Sequence, residues 1–170
     1  MRESTKKMVW MGMLIALSFV GANIKIPGPY QSIALDSLPA FLGALMLGGS
    51  AGAIIGFLGH MLTAATAGFY MTLPVHIIVA VTMAITMVGF SFAYRKTNLV
   101  VAGIVGIILN GVGAPLILLL MPKFGWPFFM GIVPFLLVAS GVNVLLSIGL
   151  FTALNKSGVG FNKGFIEDGK

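Results

Sequence analysis

The chain has 170 residues, of which 58% are hydrophobic and 8% charged, and its mean hydropathy is +1.06. A soluble domain is about 25% charged, and four acids plus ten bases cannot supply a polar shell for a fold this small. A soluble globular enzyme, a disordered chain and a coiled coil are excluded, whereas in a bilayer the length suffices for about six spans of ~20 residues with short loops.

The first apolar run covers 8–24. Its basic flank, Arg2, Lys6 and Lys7, is compatible with a signal peptide, but more membrane follows it and no cleavage site leads into a soluble domain, so it is expected to stay as the first helix. The second and third runs, 36–47 and 51–66, are short and separated by Gly48-Gly49-Ser50, a turn signal. They predict a helical hairpin with one bent or partly re-entrant arm. The fourth run, 73–94, ends at Arg95-Lys96-Thr97-Asn98. The fifth, 99–121, ends at Pro122-Lys123-Phe124-Gly125, and the sixth covers 128–154. None alternates with the period of two that barrel strands need. The expected fold class is an all-α integral membrane protein with six transmembrane helices. Residues 1–154 form its membrane domain and 155–170 a polar tail.

Six spans place both termini on one side. That side holds Arg2, Lys6, Lys7, Arg95, Lys96, Lys156, Lys163 and Lys170, and the other holds only Lys25 and Lys123. The positive-inside rule makes the first side cytoplasmic. The net charge of +6 is thereby explained by scattered loop bases rather than a nucleic-acid surface. There are no cysteines, hence no disulfide framework, thiolate metal site or thiol nucleophile.

Few polar side chains interrupt the apolar runs. Gly48, Gly52, Gly56, His60 and Ala64 follow one another every four residues, a row that lets a neighbouring backbone approach closely. An imidazole in such a stripe is expected against protein, contacting either a ligand or another helix. His76 follows Pro74 at the outer end of the fourth run, where the simpler role is to face headgroups or water. No HxxxH or HExxH spacing joins the two histidines, so no metal is expected. Asp36 opens the second run in Leu35-Asp36-Ser37-Leu38-Pro39 and reads first as an N-cap with Pro39 in the first turn; a hydrogen bond to substrate remains compatible. Asn110, among Gly106, Gly111 and Gly113, is the better site candidate of the two intramembrane asparagines. Asn143, with Ser147 at i+4, reads as glue between helices.

The outer loops carry Tyr30 and Gln31, Tyr70, and Trp126 beside Pro127. The aromatics fit an interfacial belt. Together with Asp36, His60, His76 and Asn110 they also fit an outward-opening pocket with aromatic walls and a few hydrogen-bonding groups, suited to a small planar solute. No GxxxxGK[ST] phosphate loop, carboxylate ladder or nucleophile with its base is present, so energy for uphill transport is expected from a partner, and no catalytic residue or cofactor is assigned to this chain.

Six short hydrophobic helices, a basic N-terminus, a small-residue first helix and the stretch DSLPAFLGALMLGGSAGAIIGFLGHMLTAATAGFYMTLPVH resemble the S components of energy-coupling factor (ECF) vitamin transporters. Within them the chain looks like the cobalamin-related, α-ribazole subgroup. The resemblance implies a substrate-binding subunit in the cell membrane, with an outward-facing pocket. It would dock on a transmembrane coupling subunit carrying two ATPases, which use the ATP. It also implies a docking motif on the first helix, for which Gly12-xxx-Ala16 is the nearest equivalent. Other solutes of such subunits (pantothenate, hydroxymethylpyrimidine, cobalamin), a self-sufficient carrier or channel, and an intramembrane metal enzyme are the alternatives.

Overall fold

The computed structural model describes residues 3–24 and 34–158. They form six helices: α1 (Glu3–Ala22), α2 (Leu38–Met46), α3 (Gly49–Thr66), α4 (Leu73–Lys96), α5 (Leu99–Leu118) and α6 (Trp126–Lys156). Proline stands in the first turn of α2, α4 and α6, where the missing N–H costs nothing. Asn98 caps α5, its side chain accepting from the amides of Val100 at 2.9 Å and Val101 at 3.0 Å.

Four helices, α1, α4, α5 and α6, are long and apolar enough to cross a membrane. The short helix α2 has 9 residues, about 13 Å at the usual rise, less than half the ~30 Å hydrocarbon core. All of its residues after Leu38 are buried, and it packs against α1, α3, α4 and α6. Protein therefore surrounds it. Large apolar side chains point outward from the long helices, among them Ile85, Phe92, Ile104 and Leu145, a surface matched to lipid rather than water.

Two close approaches set the packing around α2. Gly48, with φ at +94°, turns the chain between α2 and α3 in a conformation that a side chain would strain. One turn into α3, a Cβ on Gly52 would lie 2.6 Å from the Ala44 Cβ, so the two backbones meet with nothing between them. The polar side chains within helices are largely satisfied by their own backbone: Ser18 donates to Leu14 O, Thr82 to Ile78 O and Thr86 to Thr82 O.

The apolar core sits at the end where α2 finishes. Phe41 and Phe90 meet edge to face with centroids 5.0 Å apart, packed among Leu14, Leu45, Ile55, Met87 and Val144. At the opposite end, where α2, α4 and α6 begin, the bundle is hollow.

Candidate functional site

A cavity of about 130 Å³ opens among the start of α2, the end of α3, the start of α4, the end of α5 and the first half of α6. Its walls are apolar, from Val79, Met83, Leu118, Phe128, Ile132 and Leu136, and polar groups reach it from Asp36, His60, Tyr70, His76, Thr82, Asn110, Ser140 and Asn143. A second chamber of about 160 Å³ lies toward α1, bordered by Asn23, Thr63, Thr66 and Ala67. Both chambers share Ala34, Asp36, His60, Tyr70 and His76, which therefore stand at their junction. Among the described residues, no Lys or Arg lines either chamber.

Chain folding explains the convergence. His60 is near the end of α3 and His76 near the start of α4, so the α3–α4 hairpin brings them side by side. Their rings are 5.4 Å apart, and His60 Nε2 lies 3.3 Å from His76 Nδ1. The loop between the helices folds back over the pair. The rings of Phe69 and Tyr70 meet His76 edge to face at 5.8 Å and 5.6 Å. Two residues of that loop, Phe69 (φ +48°) and Thr72 (φ +85°), hold left-handed backbone, a strained conformation for a β-branched residue such as Thr72. Burial raises the Tyr70 hydroxyl above its usual range.

Asn110 donates to Ser140 Oγ at 2.9 Å, tying α5 to α6 while its carbonyl oxygen remains available to the cavity. Asn143 is 1% exposed and fully engaged. Its Nδ2 donates to Ala34 O at 3.0 Å and Ala139 O at 2.8 Å, and its Oδ1 accepts from Leu38 N at 2.8 Å. It is glue between α6 and the entry to α2, as its sequence setting suggests, but Ser147 is not its partner; that hydroxyl donates to Val144 O.

The expected cap at Asp36 is corrected. Ser37 occupies the N-cap position of α2 in a helical conformation (φ −86°, ψ −15°), and no local side chain caps the helix. A capping side chain normally needs extended backbone at that residue. Asn143 serves the α2 N-terminus instead, from 105 residues away. Asp36 is left at the junction of the two chambers. Its carboxyl oxygens can accept from hydroxyl groups there.

His76 also departs from expectation. It is 5% exposed, paired with His60 and turned to the two chambers rather than to headgroups. Trp126 does not line either chamber. It is 66% exposed and packs on Phe129 at 5.5 Å, because the first turn of α6 directs it away from the bundle. Tyr30 and Gln31 lie outside the described residues. Gly12 and Ala16 share an exposed face of α1, and a Cβ on Gly12 would meet nothing within 4 Å. Thr82 and Ser140 are cavity residues that the sequence did not single out. Ser140 stands one helical turn before Asn143, and that spacing was the available signal.

The family of ECF transporter substrate-specific components matches residues 6–158. No curated protein matches the chain significantly. Among solved structures, the S component of a bacterial ECF transporter superposes with a TM-score of 0.68 at 23% sequence identity, covering 91% of this chain and 98% of that one; at this identity the likeness is one of fold. The family match spans most of the chain and agrees with the shared fold, and the chain belongs to the substrate-specific (S) components of ECF transporters.

Proposed function

We propose that the protein captures a small, neutral, vitamin-like solute from outside the cell and that this solute is α-ribazole. The observation that carries the reading is the make-up of the cavity: apolar walls for a planar ring, with Asp36, His60, Tyr70, His76 and Asn110 converging on it and no basic residue among its described lining. A planar bicyclic base suits the walls formed by Met83, Leu118, Phe128 and Ile132. Ribose hydroxyls suit the Asp36 carboxylate and the Asn110 carbonyl. A phosphate or carboxylate on the solute would find no cation to pair with.

In this reading α2 and α3 complete a six-helix membrane domain over 1–154, both termini are cytoplasmic by the distribution of bases, and 155–170 is a cytoplasmic tail. The chain binds rather than catalyses. It holds no cofactor; ATP is used by two ATPase subunits, which act through a transmembrane coupling subunit. The outward face of α1 around Gly12 and Ala16 is the docking surface, where small side chains permit close helix contact.

Isothermal titration of the purified protein in lipid nanodiscs tests the substrate. Saturable binding of α-ribazole is expected. No heat with α-ribazole, together with tight binding of pantothenate, hydroxymethylpyrimidine or cobalamin, would reassign the substrate and leave the S-component role intact.

A further inference from the structure

Two nitrogens of the histidine pair, His76 Nε2 and His60 Nδ1, have no hydrogen-bond partner among the described residues, and of these His76 Nε2 is the fully buried one. Among the described residues nothing bonds the buried His76 Nε2, while His76 Nδ1 faces His60 Nε2 at 3.3 Å. A hydrogen bond there requires one proton between two nitrogens, so the tautomer of each neutral ring fixes that of the other. In one arrangement His60 Nε2–H donates, and His76 carries its own proton on the orphaned Nε2. In the other, His76 Nδ1–H donates, the orphaned Nε2 is bare, and His60 carries its proton on Nδ1. A buried N–H without an acceptor is rarer in folded proteins than an unfilled acceptor. The second arrangement is therefore the stable one, and it places an N–H donor at His60 Nδ1. That nitrogen has no hydrogen-bond partner among the described residues, and His60 stands at the junction of both chambers.

We infer that His60 is the specificity-determining residue of the cavity: it presents an N–H donor, fixed by His76, to a neutral acceptor atom on the solute, an unprotonated ring nitrogen or a carbonyl oxygen. The inference deepens the solute-binding reading above and rests on it. A solute offering only a donor or a cation at that point would force both rings into the other tautomer and leave an unaccepted N–H buried at His76 Nε2. His76 is thus a positioning residue that acts through His60. Selection by an unsatisfiable tautomer also explains why a pair serves where one histidine would not: a lone imidazole can turn either a donor or an acceptor toward its ligand.

The test has two arms. In the first, the full chain labelled with ¹⁵N-histidine is placed in nanodiscs without solute, and two-bond ¹H–¹⁵N spectra identify the protonated nitrogen of each ring. Both rings are expected to be Nδ1–H, with His76→Phe releasing His60 to a mixture of tautomers. An Nε2–H on His76 in the wild type overturns the inference, whether or not any solute binds. The second arm compares α-ribazole with its isosteric analogue carrying CH in place of the unsubstituted ring nitrogen. The analogue is expected to bind about tenfold to a hundredfold more weakly, and His60→Phe to bind the two alike. Equal affinity of the wild type for both compounds overturns the role of His60. If α-ribazole itself does not bind, the substrate assignment fails, and the labelled spectra still decide the tautomer.

Discussion

The two ends of the bundle are built from the same six helices and solve opposite problems. At the end where α2 finishes, Phe41, Phe90, Met87 and Val144 fill the space completely, and small residues such as Gly52 and Ala44 bring backbones together. At the end where α2 begins, polar side chains from five segments converge, some of them bonded in pairs, and leave a cavity between them. A closed end can spend every contact on stability. A hollow end keeps hydrogen-bonding capacity in reserve for something that is not part of the chain. Asn143 stands between the two regimes: it lines the cavity, yet each of its observed bonds holds the protein together.

Substitutions should separate the ends by what they damage. The largest effect is expected from Phe90→Ala, which removes a fully buried ring from the closed end. Loss of a buried aromatic costs about 3–5 kcal/mol, and unfolding in detergent, followed by circular dichroism, measures it. Asn143→Ala comes next. It leaves Leu38 N–H and Ala34 O without their partners, for a loss of at least about 2 kcal/mol at about 1 kcal/mol or more per stranded buried group, read by the same unfolding experiment. Asn110→Ala should reverse the pattern. Solute affinity measured by calorimetry falls about tenfold, while unfolding shifts little, since Ser140 loses only one partly buried bond. The smallest effect on the isolated protein is expected from Gly12→Leu. A Cβ there meets nothing within 4 Å and the position is exposed, so folding and solute binding are expected to persist while copurification with the coupling subunit is lost.

Much of the fold was legible because the helices end where chain chemistry forces them to. The glycine turn at Gly48 and the bases and Asn98 cap after α4 coincide with helix ends, whereas α5 stops at Leu118, ahead of the break expected at Pro122. The burial of α2 inside the bundle was not legible, since an apolar run reads alike whether it faces lipid or protein. In the site, intramembrane polar residues marked themselves by their cost, and Asp36, His60, His76 and Asn110 do line one cavity. What sequence could not supply was rotation and distance. The pairing of His60 with His76 depends on how α3 and α4 turn toward each other. The Asn143 cap links positions 105 residues apart, and neither leaves a local pattern. Trp126 shows the converse: residue type alone suggested a pocket wall, and one turn of helix phase decided otherwise.

The central claim is that the hollow end holds the solute. Native mass spectrometry of the purified protein, with and without added α-ribazole, tests it most directly when the wild type is compared with Ala139→Phe. Ala139 lines the cavity and is 6% exposed, so a phenyl ring there fills the space. The wild type should carry one bound small molecule and the folded Ala139→Phe protein none. The same solute retained at the same occupancy by both proteins would place the binding site elsewhere and contradict the account.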